Sequence, residues 1–178
     1  MNITIFGGSQ TRPGESLYQD AERLGHILGS HGHTILTGGY IGVMEAASRG
    51  AAEAGGHVVG ITCDEIEAWR PIGPNHWVKE ERRYPTLRQR LFALIDSCDA
   101  ALAMPGGIGT LAEVSEMWSQ MQSSAIPARP LVLIGSGWSK TFQEFFQAFN
   151  EFIPVQYRQM LTFANDVDAA LSYLRIIS

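Results

Sequence analysis

The most constraining feature of this chain is a nine-residue stretch at positions 105–113, Pro-Gly-Gly-Ile-Gly-Thr-Leu-Ala-Glu, which joins an apolar run to a segment with helical spacing. The apolar run covers residues 100–104 and has the length of a buried strand. Glycines in a turn let backbone N–H groups approach a ligand closely, and the N-terminus of a helix favours an anion. The stretch therefore predicts a strand, a turn and a helix of an α/β sheet. Its functional interpretation is a phosphate bound over Gly106, Gly107, Ile108, Gly109 and Thr110.

A structural interpretation of the same stretch also stands. Turns that follow strands are often rich in glycine, and Thr110-x-x-Glu113 has the form of a capping box, in which the carboxylate folds back onto the N-cap amide. The stretch is not a Walker loop, because no Gly-Lys-Ser/Thr follows, and its glycine spacing differs from that of the dinucleotide fingerprint. Spacing alone therefore leaves open whether Thr110 caps the helix or offers its hydroxyl to a phosphate.

The order of apolar run, glycine turn and helix occurs twice more, earlier in the chain. Residues 3–6 form a short, mostly apolar run that ends at Gly7 and Gly8, and residues 33–36 are predicted as a second strand that runs through Thr37 into Gly38 and Gly39. The carboxyl ends of parallel strands lie along one edge of the sheet, where ligands bind in a crevice. The turns at 7–8, 38–39 and 106–109 are therefore predicted to share one ligand site. A nucleoside monophosphate has the size of this crevice, and its sugar and base would extend toward Gly8, Ser9 and Gly39.

The rest of the chain continues the alternation of strands and helices. Further strands are predicted at 58–61, 77–84, 99–104, 130–134 and 160–163, and helices at 16–30, 85–97, 139–152 and 166–176, with the signature helix ending near 122. Residues 62–76 lack periodicity and are interpreted as a functional loop or lid. One domain is expected over residues 1–178, a Rossmann-like, doubly wound, mostly parallel α/β sheet with helices on both faces.

Composition narrows the functional classes. A net charge of −5 argues against a nucleic-acid partner. Cys63 and Cys98 have no metal-like spacing, and His31 and His33 lack a third ligand, so we expect no metal site and a cytoplasmic location. The first residues lack the pattern of a signal peptide, and no stretch is long enough to span a membrane, so no membrane partner is expected.

The stretch at 105–113, written Pro-Gly-Gly-x-Gly-Thr-x-x-Glu, resembles the signature of the Lonely Guy family, whose members are cytokinin-activating phosphoribohydrolases. Residues 38–44 match the family's Gly-Gly-x-x-Gly-x-Met, and Arg90 matches an arginine on the helix before the signature strand. The resemblance extends from the first strand to about residue 135. It implies a homodimer that needs no cofactor and hydrolyses the N-glycosidic bond of a nucleoside 5′-monophosphate, either AMP or an N6-substituted AMP.

The resemblance also implies two catalytic residues, Glu113 and Arg90. Breaking an N-glycosidic bond builds positive charge at the anomeric carbon, and a carboxylate beside the ribose can stabilise that charge or activate water. The guanidinium of Arg90 can hold the phosphate, orient Glu113 or assist departure of the base. The sequence does not choose among these roles.

Neighbouring residues leave some of these assignments open. The helix at 85–97 carries Arg88 and Arg90 on faces other than its apolar one, so Arg88 is a rival for the same role. The plant-like enzymes of the family have Met-His-x-Arg-Lys where this chain has Leu-Arg-Gln-Arg-Leu at 87–91, which leaves the substrate preference open. Glu116 matches a recurring family position and is equally explained as a solvated or dimer-facing helix residue.

Other classes of function remain to be separated from hydrolysis. A nucleotide or molybdenum-cofactor carrier of the same fold would bind a ligand without hydrolysing it, and an oligomeric scaffold with a vestigial site would bind none. A lysine decarboxylase, a label often given to this family, is excluded. Pyridoxal phosphate needs a Schiff-base lysine, and the only lysines, Lys79 and Lys140, lie away from the glycine turns. Tyr40, Trp69 and Trp77 either stack on a base or cover an edge of the core.

Overall fold

The computed structural model describes residues 1–176, so the expected domain of 1–178 ends just beyond the described part. The strands are β1 (Asn2–Phe6), β2 (Thr34–Thr37), β3 (Val58–Cys63), β4 (Glu80–Tyr84), β5 (Ala100–Ala103), β6 (Leu131–Ile134) and β7 (Thr162–Ala164). The helices are α1 (Ser16–Ser30), α2 (Val43–Glu53), α3 (Asp64–Trp69), α4 (Leu87–Asp96), α5 (Ile108–Gln122), α6 (Ser136–Ala148), α7 (Val155–Arg158) and α8 (Val167–Tyr173).

The strands form one seven-stranded sheet in the order β4-β3-β2-β1-β5-β6-β7, and every neighbouring pair is parallel. The chain builds outward from β1 through β2, β3 and β4, and then returns to add β5, β6 and β7 on the other side of β1. The direction of winding therefore reverses between β1 and β5, where Thr4 is in register with Ala101. Ligands of open α/β sheets bind beyond the carboxyl ends of the strands at such a switch point.

Alternate side chains of the strands face two hydrophobic cores, one on each side of the sheet. Ile3 and Ile5 of β1 pack in one core with residues of α1, α2 and α8. Phe6 packs in the other core with residues of α4, α5 and α6, among them Met117 and Trp118 of the signature helix. The doubly wound Rossmann-like fold is therefore confirmed, with a sheet that is parallel throughout.

The stretch at 62–76, which we expected to be a loop, is partly regular. β3 and α3 occupy residues 58–69, and only residues 70–79 are irregular. α3 buries none of its own residues. It is held instead by Arg83 of β4, which forms ion pairs with Asp64 and Glu67. Because these contacts come from a distant strand, the local pattern does not reveal the helix.

Smaller differences concern the ends of other elements. β4 begins at Glu80 and not at 77, and α6 begins at Ser136 and ends at Ala148, where the pattern indicated 139–152. The short helix α7 was not expected. These differences all lie outside the glycine turns, so they do not change where the crevice forms.

Candidate functional site

The glycine turns after β1, β2 and β5 meet at the switch point of the sheet. The N–H of Gly8 donates to the carbonyl of Pro105 at 3.1 Å, and the carbonyl of Gly8 accepts from the N–H of Val43, the first residue of α2, at 2.9 Å. Gly42 has a φ of 74°, and a Cβ there would lie 2.6 Å from the Cα of Ser9. Only glycine fits this conformation and this close approach. The convergence predicted from the three turns is present in the fold.

The signature turn leads into an open helix N-terminus. Gly107 is the N-cap of α5, and the side chain of the next residue, Ile108, is 83% exposed. A Cβ at Gly107 or Gly109 would have no neighbour within 4 Å. The first N–H groups of a helix have no partners within the helix and attract anions. The N-terminus of α5 is therefore free to receive a phosphate beside the turn at Gly8.

Thr110 does not cap α5, so the capping-box interpretation is wrong. The helix already begins at Ile108, which places Thr110 inside the first turn, where it is buried. Its hydroxyl lies against Gly106, since a Cβ on Gly106 would overlap with Oγ1 of Thr110. Thr110 therefore supports the signature turn from behind, and Glu113 is not needed to close the end of the helix.

Arg90 and Glu113 form a buried ion pair at the edge of the crevice. Nη1 of Arg90 lies 3.6 Å from Oε1 of Glu113, and the two side chains are 6% and 14% exposed. Nε of Arg90 donates to the carbonyl of Ile61 in β3 at 2.8 Å. The expectation that Arg90 lies away from the packed face of α4 is therefore wrong. The reason is tertiary, because β3 offers this guanidinium a buried carbonyl.

Residues of the Gly-Gly-x-x-Gly-x-Met stretch surround the guanidinium of Arg90. A Cβ on Gly38 would overlap with Nη2, so this glycine provides the space for Arg90. Sδ of Met44 lies 4.0 Å from Nη2, and the ring of Tyr40 lies 5.9 Å from the guanidinium carbon. Tyr40 is buried, and its hydroxyl accepts from the N–H of Cys63 at 2.9 Å. Tyr40 is thus part of the support of Arg90 and does not stack on a base.

Burial raises the pKa of Glu113 from its ordinary value of 4.5 to about 7, and the guanidinium of Arg90 only partly opposes this rise. Both protonation states of the carboxyl group are therefore populated near neutral pH. A carboxyl group with such a pKa is able to accept or to donate a proton during a reaction. A perturbed pKa beside a specific charged partner in a cleft is a frequent mark of an active site.

The two remaining catalytic candidates do not join this pair. Arg88 is exposed, and its guanidinium carbon lies 5.7 Å from the centre of the ring of Phe92. Glu116 lies one turn beyond Glu113 on α5, and its Oε1 accepts from Nε2 of Gln120 at 2.9 Å. The structure therefore separates the rival arginines, with Arg90 inside the pair and Arg88 on the surface.

The binding candidates Ser9 and Gly39 both contact the irregular segment at 70–79. Oγ of Ser9 accepts from Nη1 of Arg70 at 3.3 Å, and the carbonyl of Gly39 accepts from Nδ2 of Asn75 at 2.9 Å. Our sequence reasoning did not select Arg70. The available signal was that Arg70 is the only arginine or lysine in the stretch interpreted as a functional loop.

The structure also bears on cofactors and membranes. Across residues 1–176 no three or more His, Cys, Asp or Glu side chains cluster as metal ligands would, and Nδ1 of His31 lies 2.8 Å from the carbonyl of Ile27 in its own helix. Lys79 and Lys140 are both exposed, and the N–H of Lys79 pairs with Val58 at the amino end of β3, away from the crevice. None of the helices described has the length and apolar character of a membrane span.

Known proteins resemble this chain over most of its length. Residues 44–174 match the family model described as "Possible lysine decarboxylase". The cytokinin riboside 5′-monophosphate phosphoribohydrolase of Rhodococcoides fascians is 26% identical over 98% of this chain and 89% of that protein. The pyrimidine/purine nucleotide 5′-monophosphate nucleosidase of Escherichia coli K12 is 31% identical over 85% of this chain, a match that covers 34% of the nucleosidase.

A solved structure shares the fold. The molybdenum cofactor carrier protein of Chlamydomonas reinhardtii superposes with a TM-score of 0.71 at 26% identity, over 98% of this chain and 95% of the carrier. The family model spans Arg90, Glu113 and the whole signature stretch. Decarboxylation, which its description mentions, does not fit a chain whose two lysines are both exposed and lie outside the glycine turns. By its signature residues and by these matches, the chain belongs to the Lonely Guy family.

Proposed function

We propose that this chain is a nucleoside 5′-monophosphate phosphoribohydrolase, which hydrolyses the N-glycosidic bond of AMP or an N6-substituted AMP to free base and ribose 5-phosphate. The observation that carries this proposal is the buried pair of Arg90 and Glu113 beside a crevice lined by three glycine turns. The names of the relatives, a phosphoribohydrolase and a nucleosidase, support the same class of reaction.

The nucleotide would lie across the switch point. Its phosphate would accept hydrogen bonds from the open N-terminus of α5, over Gly106, Gly107, Ile108, Gly109 and Thr110. Its sugar would then pass the backbone at Gly8, which touches the signature turn, and would lie toward Ser9 and Gly39. This orientation uses the anion-binding end of the helix for the one charged group of the substrate.

Glu113 would carry the chemistry. Cleavage of the N-glycosidic bond leaves positive charge on the anomeric carbon, and a carboxylate next to that carbon stabilises the transition state. Water then adds to the anomeric carbon as the bond to the base breaks, and Glu113 takes up one proton of that water. The same carboxyl group then gives this proton to the departing base nitrogen. The raised pKa of Glu113 favours such transfer near neutral pH.

Arg90 would act by orienting Glu113. Its Nε is already engaged by the carbonyl of Ile61, and its Nη1 faces the carboxylate, so two sides of the guanidinium are committed within the protein. Among the three roles left open by the sequence, this geometry favours orientation of Glu113 over capture of the phosphate. The positive charge also holds part of the Glu113 population in the carboxylate form.

The test is a chromatographic assay for free base, with purified protein incubated with AMP and with isopentenyl-AMP. We expect Glu113→Gln to lower base release by about 100-fold or more, because it replaces the carboxylate with an amide group of nearly the same size. The matched control is Glu144→Gln, which changes an exposed carboxylate on α6. Undiminished release by E113Q would show that another carboxylate carries the reaction.

A carrier function is the second candidate, because the likeness to the Chlamydomonas molybdenum cofactor carrier extends over nearly the whole chain. In that case wild-type protein would bind AMP in a calorimeter but would release no base from either nucleotide. A wild type that neither binds nor hydrolyses the two nucleotides would refute both functions for these ligands.

A further inference from the structure

We propose that Arg70, assisted by Arg12, binds a phosphate group of the nucleotide from the β1 side of the crevice. This rests in part on the proposed function, since it places a nucleotide at the switch point. The inference starts from charge, because both guanidinium groups contact Ser9 and neither has an acidic partner among residues 1–176.

Arg70 is held at the crevice by the segment that carries it. Its Nη1 donates to Oγ of Ser9 at 3.3 Å. Further along, the N–H of Asn75 donates to the carbonyl of Gly39 at 2.7 Å, and Nδ2 of Asn75 donates to the carbonyl of Tyr40 at 2.8 Å. The segment is therefore fastened to the turn after β2 while Arg70 contacts the loop after β1.

The half-buried guanidinium of Arg70 is only partly satisfied by hydrogen bonds. Its Nε is buried and has no hydrogen-bond partner among residues 1–176. The ion pairs of the described chain, which engage other arginines such as Arg49 and Arg83, do not include Arg70. An unpaired buried donor on a charged group costs free energy, which a bound anion would offset.

Arg12 adds a second positive charge at the same place. Its Nη1 donates to the carbonyls of Ser9 and Thr11 at 3.3 and 3.4 Å, and the ion pairs found in the described part of the chain do not include it either. Two guanidinium groups thus converge on Ser9 in a chain whose net charge is −5. The planar donors of arginine match the oxygens of a phosphate.

The position of Ser9 connects this charge to the nucleotide. Ser9 follows Gly8, whose N–H donates to Pro105 of the signature turn at 3.1 Å. A phosphate over the signature turn is therefore next to the loop that carries Ser9. Two sources of phosphate suit the site: the 5′-phosphate itself, or a second phosphate attached to it.

The experiment measures binding of inorganic phosphate, adenosine, AMP and ADP by calorimetry. It compares wild type with Arg70→Gln and with Arg23→Gln, a matched loss of one positive charge at an exposed arginine of α1 that pairs with Asp168. We expect R70Q to weaken AMP and phosphate binding about tenfold or more, to leave adenosine binding unchanged, and R23Q to change none of them. R12Q should give a smaller effect of the same kind, because Arg12 is exposed.

The ligands separate the two sources. If R70Q binds AMP more weakly than wild type does, Arg70 contacts the 5′-phosphate. If R70Q loses only a preference for ADP over AMP, Arg70 contacts a second phosphate. An equal loss of adenosine and AMP binding would overturn the proposal and make Arg70 a packing residue, and so would unchanged binding of all four ligands. If R70Q does not fold, Arg70→Lys replaces it. We then expect a lower affinity for AMP and an unchanged affinity for adenosine, and an equal loss of affinity for both ligands would contradict the proposal.

Failure of the proposed function gives a different pattern. A wild type that binds inorganic phosphate but not AMP would refute a nucleotide substrate. In that case loss of phosphate binding in R70Q would still support an anion site at Arg70, and unchanged phosphate binding would overturn it.

Discussion

Arg90 and Arg83 hold carboxylates in opposite environments, one in the crevice and one at the edge of the sheet. Arg90 is 6% exposed and meets a single carboxylate, Glu113, at 3.6 Å. Arg83 is 45% exposed and meets Asp64 and Glu67 at 2.6 and 2.8 Å, with a third carboxylate at 3.6 Å. The exposed arginine therefore has more carboxylate partners than the buried one, and its two nearest carboxylates are closer.

This difference distinguishes a structural cluster around Arg83 from the pair that we propose for catalysis. The hydrogen bonds that Arg83 donates to Asp64 and Glu67 raise the pKa of Arg83, and the cluster joins α3 to β4 in a hydrated position where ion pairs contribute little. In the crevice, burial raises the pKa of Glu113 although a guanidinium is near. A buried pair with one long contact does not recover its desolvation cost. We infer that the pair near the signature turn is retained for chemistry and not for stability.

The largest expected effect comes from a comparison of two single variants, in which either Arg90 or Arg83 is replaced by glutamine. Arg90→Gln leaves Glu113 buried without its cation, so we expect base release to fall about 100-fold or more and the free energy of unfolding to fall by about 3–5 kcal/mol at alkaline pH. Arg83→Gln should leave base release unchanged, and its small effect on the denaturation midpoint should disappear in concentrated salt. Equal effects of R90Q and R83Q on base release would remove the distinction between the clusters.

The next effect is a pH dependence in which stability and activity move in opposite directions. The pKa of Glu113 is about 7 in the folded chain against an ordinary 4.5, so its contribution to stability is fully present below pH 4.5 and is lost as the pH rises through about 7. Each pKa unit corresponds to about 1.4 kcal/mol, so wild type should lose about 3 kcal/mol relative to E113Q between about pH 4.5 and 8.

In the proposed reaction, activity should rise over the same range, because the carboxylate form of Glu113 is the one that would stabilise the transition state. We therefore expect kcat/KM for AMP to increase through about pH 7, and denaturant titrations of wild type and E113Q to give the stability difference. E144Q is the control and should follow wild type in both measurements. A stability difference between wild type and E113Q that does not change with pH would show that burial does not raise the pKa of Glu113.

The smallest expected effect concerns the space around Arg90. Gly38→Ala adds a methyl group that would overlap with Nη2 of Arg90 and should displace the guanidinium from Glu113. We expect base release to fall about tenfold with a lesser change in stability, since a flexible side-chain end is able to move aside. Gly137→Ala is the control, because a Cβ there has no neighbour within 4 Å and α6 tolerates alanine. Unchanged release by G38A would show that the position of Arg90 is not critical.

Local patterns predict the elements that local forces stabilise. The apolar spacing of α1 predicts its bounds as the structure has them, and the apolar runs with glycine turns predict the parallel sheet and its crevice. The same patterns do not predict α3. Its acidic residues bind Arg83 of β4, and its Glu65 accepts from the N–H of Leu87 in α4 at 2.7 Å, so partners distant in sequence hold it.

The candidate site divides in the same way. By itself the sequence determined the glycine turns and the helix that follows the signature, because turn chemistry and apolar spacing are local properties. Its resemblance to the Lonely Guy family supplied Glu113 and Arg90 as the catalytic candidates. Only the tertiary structure decided that Arg90 is buried against Ile61 and Gly38, that Thr110 lies behind Gly106, and that Arg70 reaches Ser9. Burial, pairing and the pKa of a carboxyl group depend on neighbours from other elements, and those neighbours come together only when the sheet is complete.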